Sequence, residues 1–294
     1  MSTQQTGTAL APAPFLDLQA QAFSLPNGVE LHAVFGGEGK RLVFIHGAMG
    51  DWRNWQPQWD AFSAHYECMS YSRRYSFPNR NTMPSPHHSA LDEAQDLRLL
   101  LDALGWDRVI LVGSSYGGFT ALALALADPE RVEAVVAVEP PMMRYAHLTP
   151  AGKQAAEAFR ERTIEPANAA FRRDEDELAA QIMTGGINGA TSTVNDGEAM
   201  RRRLQNVRAM KMLALSTDEF PWVEPERLAA LPMPVLLMSG ANTPPVHRAI
   251  FDNLCPALPQ AEVLRVAGAG HGVSRDQPAF FNERVLDFLS RRLG

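Results

Sequence analysis

Cysteine is almost absent from this 294-residue chain: Cys68 and Cys255 stand far apart, without metal-ligand spacing. A disulfide-stapled scaffold and a cysteine-built metal site are thereby excluded, and two buried, reduced thiols in a cytosolic protein are expected. No apolar run approaches the roughly 20 residues that span a bilayer. No long basic run occurs, and the net charge is −6, so neither nucleic acid nor an anionic membrane surface is an expected partner. Arg201-Arg202-Arg203 and Arg291-Arg292 read as solvated helix faces. The phosphate-binding G-x-x-x-x-G-K-[ST] and an in-context dinucleotide G-x-G-x-x-G are missing, and His87-His88 has no Cys or carboxylate at ligand spacing. No cofactor and no metal is therefore expected. Residues 1–20 lack both a basic start and an apolar core, and their Gln, Thr, Ala and Pro content reads as a disordered leader rather than a secretory signal.

What the chain does contain is strands and helices in alternation. Ala22 to Leu25 and Val29 to Phe35 read as strands joined by the hairpin signal Pro26-Asn27-Gly28. Further strands are expected at Leu42 to Ile45, Tyr66 to Tyr71, Arg108 to Val112, Val132 to Val138, Val235 to Met238 and Glu262 to Val266. Helical period places helices over Trp55 to Ala64, Ala90 to Leu104, Thr120 to Ala127, Val246 to Leu254 and Ala279 to Arg291. The predicted fold class is α/β: a mainly parallel sheet covered by helices on both faces. Residues 142–231 carry helical patterning alone, with helices at Ala151 to Arg162, Glu175 to Met183 and Glu198 to Ala214. They read as a helical cap inserted into a core formed by residues 21–141 and 232–294.

The strongest chemical signal is Gly113-Ser114-Ser115-Tyr116-Gly117, a G-x-S-x-G placed between an apolar β-branched run and an Ala/Leu-rich one. A serine on a tight strand-to-helix turn is exposed, and the helix start offers N–H groups to a developing anion. Ser115, at the centre of the motif, is the candidate nucleophile, and it needs a base. His271 lies in Gly270-His271-Gly272, between the last strand and the closing helix, and fits that role best among eight histidines. His46, followed by Gly47, suits loop shaping. His32, His65, His87, His88, His147 and His247 read as surface or satisfied core residues.

With His46-Gly47 after the third strand, the serine motif and Gly270-His271-Gly272, the chain from Ala22 to Leu293 resembles the α/β-hydrolase superfamily. The resemblance implies an oxyanion hole made by the backbone N–H groups of Tyr116 and Ala48. Trp52 and Trp55 are expected to pack under the neighbouring loop. Dehalogenases and epoxide hydrolases of this fold attack with Asp, so Ser115 argues against both. In many relatives a triad Asp follows the strand at Val235, but here the turn reads Gly240-Ala241-Asn242-Thr243-Pro244 and holds no carboxylate. Asn242 or Thr243 could orient an imidazole but could not balance its positive charge. Glu139, at the end of the strand beside the serine strand, is the candidate acid, a placement similar to that of zearalenone-type lactone hydrolases. A turn-capping role for Glu139 would instead require an acid from elsewhere, such as Asp218.

Arg73 and Arg74 read as partners of acidic surface neighbours rather than site residues. Met142, Met143, Met183, Met200, Met210 and Met212 in the cap could line a pocket or fill core. The expected activity is cleavage of a mainly apolar small-molecule carboxylic ester or lactone through Ser115, His271 and Glu139. A carbon–carbon bond hydrolase with the same triad and a non-turnover ligand receptor on the same fold are the alternatives.

Overall fold

The computed structural model describes residues 15–83, 85, 87–189, 197–216 and 218–294. Eight strands form one sheet: β1 (Gln21–Ser24), β2 (Glu30–Gly36), β3 (Lys40–Ile45), β4 (Tyr66–Tyr71), β5 (Val109–Ser114), β6 (Val132–Val138), β7 (Val235–Gly240) and β8 (Glu262–Val266). Their spatial order is β1-β2-β4-β3-β5-β6-β7-β8. The β1–β2 hairpin and the β2–β4 pair are antiparallel, and every pair from β4 to β8 is parallel.

Alternation along the strands builds two cores. Val43, Ile45, Leu111 and Leu237 point to one face, where they meet Leu97 of helix Ala90–Leu104, Leu122 of helix Tyr116–Ala127 and Ile250 of helix Pro245–Leu254. Leu42, Phe44, Val112 and Met238 point to the other, under Phe62 of helix Gln56–Ser63 and Phe281 and Phe288 of helix Pro278–Leu293. A parallel sheet buried on both faces requires such continuous apolar strands. Trp55 stacks on Phe44 at 4.8 Å between ring centroids, and Trp52 is buried in the same core.

Of the expected leader, residues 1–14 lie outside the described residues. Phe15 is packed: its buried ring sits 5.1 Å from Trp52 and 4.8 Å from Trp59. Cys68 and Cys255 are free thiols, Cys68 buried and Cys255 half-buried.

Residues 142–231 are helical where described, with three departures from the helices expected there. Helix Pro150–Phe159 runs through a π-helical turn at Arg160–Ile164 into helix Glu165–Phe171. Pro166 lacks the N–H that an uninterrupted α-helical ladder needs, and the widened turn absorbs the missing bond. Helix Asp176–Asn188 runs five residues past the predicted end at Met183. The helix predicted over Glu198 to Ala214 is two, Gly197–Gln205 and Val207–Leu215, broken at buried Asn206. The Asn206 side chain donates to Asp51 Oδ2 (2.8 Å) and accepts from the Phe77 N–H (2.9 Å). Those bonds compete with helix continuation, as Asn side chains do. No helix among the described residues is long and apolar enough to cross a membrane.

Candidate active site

Because β3 to β8 run parallel, the segments that leave their carboxyl ends meet along one edge of the sheet. The strand order reverses between β3 and β5, which opens a crevice there. His46, Gly47 and Ala48 follow β3, Ser115 follows β5, Glu139 follows β6, Thr243 lies beyond β7 and His271 beyond β8.

Ser115 has φ +53°, a left-handed conformation that costs a residue with a side chain. Its N–H is fixed by the Val138 carbonyl at 2.7 Å, and its own carbonyl accepts from Gly118 at 2.8 Å. Gly117 permits the turn to lie against β3, since a Cβ there would stand 2.1 Å from the Ile45 carbonyl oxygen. Glu139 also has positive φ, +42°. Of the three non-glycine residues with positive φ among the described residues these two stand at the crevice, where strain held by surrounding structure commonly marks function; the third, Asp174, is exposed in a turn.

The side chains form one chain of contacts. His271 Nε2 lies 2.9 Å from Ser115 Oγ, and His271 Nδ1 lies 2.6 Å from Glu139 Oε2. A carboxylate can only accept there, so the imidazole carries its proton on Nδ1 and turns the Nε2 lone pair to the serine hydroxyl. Glu139 Oε2 also accepts from Thr243 Oγ1 (2.6 Å), and Oε1 accepts from Ser239 Oγ (2.7 Å) and the Gly240 N–H (2.8 Å). Burial alone would raise its pKa, but the His271 hydrogen bond and charge, His247 and Thr243 outweigh that and hold it down to about 2. Thr243 therefore contacts the acid rather than the imidazole, and Asn242 is exposed. Asp218 is an exposed partner of Arg144 and is not beside His271.

On the other side of Ser115 lies a cluster that sequence reasoning missed. Arg73 and Arg74 are not surface-paired: Arg73 is buried against buried Glu93 (3.0 Å), and Arg74 makes two 2.6 Å bonds to buried Asp96. His88 Nε2 sits 3.0 Å from the same Glu93 oxygen. Arg73 also donates its backbone N–H to His46 Nε2 (3.0 Å) and reaches the Gly47 carbonyl with Nη2 (3.4 Å). His46 must then carry its proton on Nδ1, which donates to that same carbonyl at 2.8 Å. Burial and Arg73 push the His46 pKa down to about 4, so the ring is neutral. Helix Ala90–Leu104 held the missed clue: Glu93 and Asp96 share its buried register with Ala90, Ala94, Leu97 and Leu100. Carboxylates on an apolar face require cationic partners.

His247 is a further surprise. It is buried in helix Pro245–Leu254 and stacks on His271 with centroids 3.9 Å apart and planes 20° apart. Among the described residues neither of its ring nitrogens makes a hydrogen bond of normal geometry, and burial together with His271 pushes its pKa down to about 3 against a weak contribution from the Ile187 backbone. Glu139, His247 and His271 bring ligand-type atoms within 4.8 Å of one another. Nearly parallel rings direct their in-plane lone pairs side by side, however, and cannot converge on one ion at zinc distances.

The crevice opens into a cavity of about 410 Å³ lined by Ser115, His271, Ala48, Tyr116 and His247. Residues 142–231 supply Met143, Phe159, Ile164, Ile187, Leu213 and Phe220 to its apolar wall. Of the six methionines in that stretch only Met143 lines the cavity; the other five are buried. Arg202 and Arg203, expected on a solvated face, line it as well.

A family model described as the alpha/beta hydrolase family matches residues 42–284. Carboxylesterase YbfK of Bacillus subtilis is 27% identical over 263 residues, covering 84% of this chain and 79% of that protein. Its crystal structure superposes with a TM-score of 0.72 at 22% identity, over 93% of this chain and 92% of that one. A 2-hydroxy-6-oxononadienedioate/2-hydroxy-6-oxononatrienedioate hydrolase of Dechloromonas aromatica is 28% identical over 309 aligned positions, covering 98% and 99% of the two chains. The crystal structure of an enol-lactonase from Burkholderia xenovorans has the same fold, with a TM-score of 0.64 at 20% identity over 92% and 100%.

Proposed function

Since the chain belongs to the alpha/beta hydrolase family and is an enzyme of that kind, we propose that it cleaves a mainly apolar carboxylic ester or lactone through Ser115, His271 and Glu139. The observation that carries this reading is the continuous Ser115–His271–Glu139 contact chain, 2.9 and 2.6 Å, opening on an apolar-walled cavity. His271 takes the hydroxyl proton as Ser115 Oγ attacks the carbonyl carbon, and returns it to the departing alkoxide. Glu139, ionised through the neutral range, offsets the imidazolium charge and fixes the tautomer. Water, deprotonated by the same histidine, then releases the acid from Ser115.

The oxyanion is assigned to the Tyr116 and Ala48 N–H groups. Tyr116 begins helix Tyr116–Ala127, whose first N–H groups have no partner within the helix. Across a trans peptide the N–H points opposite to the carbonyl. With the Gly47 carbonyl held by His46 and Arg73, the Ala48 N–H is held turned away from them. Residues 142–231 act in this reading as a lid that shapes the pocket and excludes water. A cytosolic setting is supported by the two free thiols.

The test is labelling by a fluorophosphonate probe together with multiple-turnover hydrolysis of short p-nitrophenyl esters. Both should vanish in Ser115→Ala and survive in Ser114→Ala. A slow or single turnover by the wild type would favour a ligand receptor instead.

A further inference from the structure

The cavity has a second wall whose charge nothing in the reaction described above uses. Arg53, Arg202, Arg203 and Arg275 line it, with Asp51 as the one carboxylate in the lining. That carboxylate is fully engaged, accepting two side-chain bonds from Arg53 (2.7 and 2.6 Å) and one from Asn206 (2.8 Å). Arg202 is paired with exposed Glu198, and Arg275 with Asp276. Arg203 differs: among the described residues its side chain makes one hydrogen bond, from Nη1 to the Met49 carbonyl at 2.6 Å, and no ion pair. A guanidinium carries five N–H donors in a planar fork, so most of the fork is unused. Burial, with Arg275 nearby, outweighs the attraction of Asp51 and lowers the Arg203 pKa to about 10, so the group remains charged at neutral pH. The whole chain carries −6, and this wall is locally of the opposite sign.

We propose that the wall centred on Arg203 is a subsite for a carboxylate carried by the substrate, distinct from the carbonyl that Ser115 attacks. A half-buried, unpaired guanidinium facing a binding cavity is complementary to an anion that arrives with the ligand. One unneutralised cation matches one negative charge, which favours a carboxylate over a phosphate dianion. Met49 directly follows the oxyanion residue Ala48, so an anion drawn to Arg203 is bound beside the reacting centre. The substrate class becomes an ester or lactone with an apolar body and a free carboxylate. This deepens the hydrolase reading and rests on it.

The test compares p-nitrophenyl butyrate with the mono-p-nitrophenyl ester of glutaric acid, similar in body but ending in a carboxylate. Wild type should favour the charged ester in kcat/KM. Arg203→Gln, which keeps a donor for the Met49 carbonyl, should lower kcat/KM for the charged ester about 10- to 100-fold and affect the neutral ester far less. Arg203→Lys should keep part of the preference. Equal losses on both esters would make Arg203 a structural clamp and overturn the subsite, as would a wild type without preference. If neither ester is turned over, the hydrolase reading fails, and calorimetry with glutarate on Ser115→Ala decides the subsite alone. Binding that weakens at least about 10-fold when Arg203→Gln is added supports it. Binding that is absent, unchanged by that substitution, or matched by inorganic phosphate overturns it.

Discussion

Glu139 and Glu93 are buried carboxylates on opposite sides of Ser115, and both are held down to about 2 against a burial effect that would raise them. The means differ. Glu139 accepts from two hydroxyls, one backbone N–H and His271, so its charge is stabilised by neutral donors around a single titratable partner. Glu93 is held between the Arg73 guanidinium and His88, whose pKa its hydrogen bond and charge raise against burial, with Glu219 near by. The first arrangement leaves no carboxylate oxygen unpaired. The second leaves Arg73 Nε buried without a partner among the described residues, and pairs Glu219 only with the Tyr116 hydroxyl. In the proposed reaction, the carboxylate on the proton path is surrounded by dipoles, whereas the cluster that holds the Gly47 carbonyl is built round an ion pair. The first should fail in chemistry, the second in folding and in loop placement.

The largest expected effect sharpens that contrast. Glu139→Gln keeps the shape but removes the charge that offsets imidazolium, and kcat should fall by about 10⁴, as for triad Asp→Asn in serine proteases. Glu93→Gln is equally isosteric, yet leaves buried Arg73 uncompensated; it should cost about 3–5 kcal/mol of folding stability while kcat per folded molecule falls far less. Urea denaturation and kcat, measured side by side, check both. A Glu93 variant that is stable and as inactive as the Glu139 variant would dissolve the distinction.

Arg73→Met comes next. It removes one of the two groups holding the Gly47 carbonyl, so the Ala48 N–H should lose its aim. We expect kcat to drop about 10²-fold with KM nearly unchanged, since the donor matters once charge develops on the carbonyl oxygen. Arg73→Lys should recover part of the loss. A rise in KM at constant kcat would place Arg73 in substrate binding instead.

The third prediction concerns Glu219. Burial raises its pKa to about 7, against the lowering influence of His88, Tyr116 and Arg73. The folded state therefore holds a proton that the unfolded chain releases near 4.5. Stability from this group is fully present below about 4.5 and is lost as pH rises to about 7, a change on the order of 3 kcal/mol. Glu219→Gln should flatten that slope and be the more stable form at pH 8. Parallel slopes for variant and wild type between pH 5 and 8 would contradict it.

The legibility of the molecule divides along the same line. Strands β3 to β8 and the Ser115 turn could be read because each depends on neighbours in sequence: apolar runs, then a glycine-framed serine, then a helix. The contact of Glu139 with His271 is expected from the resemblance to relatives that carry their acid after the strand beside the serine strand, once the turn after β7 is seen to hold no carboxylate. The Arg73–Glu93 pair could not be read, since twenty residues separate two charges whose burial is decided by tertiary packing. Arg203 was hidden within a run of three arginines, of which Arg201 and Arg202 are exposed. Its clue was spacing: Arg203 shares a helix face with Met200, three residues away and buried. The π turn before Pro166 and the break at Asn206 likewise answer to contacts, not to period.

Thr243→Val should produce the smallest of these effects, and it probes the dipole-built side alone. Thr243 Oγ1 donates at 2.6 Å to Glu139 Oε2, the oxygen that also receives the His271 proton. Valine fills the same space and leaves that oxygen with a single donor. A hydrogen bond to a charged group contributes about 1.5–3 kcal/mol, so a loss near the lower figure predicts kcat down about 10-fold. The sign in pH follows from the same bond. A donor to the ionised form favours that form, so removing it should raise the Glu139 pKa from about 2 toward its ordinary 4.5. Because the native pKa is depressed, Glu139 stabilises the fold above about 4.5 and that contribution is lost as pH falls toward about 2. In Thr243→Val the contribution is smaller, and its loss is complete at a higher pH. Asn242→Ala, at an exposed neighbouring position, should change neither kcat nor the acid limb. Acid titrations of folding and of kcat for the two variants decide it: if Thr243→Val behaves like Asn242→Ala, Glu139 does not depend on its hydroxyl donors, and the contrast between the two carboxylates reduces to His271.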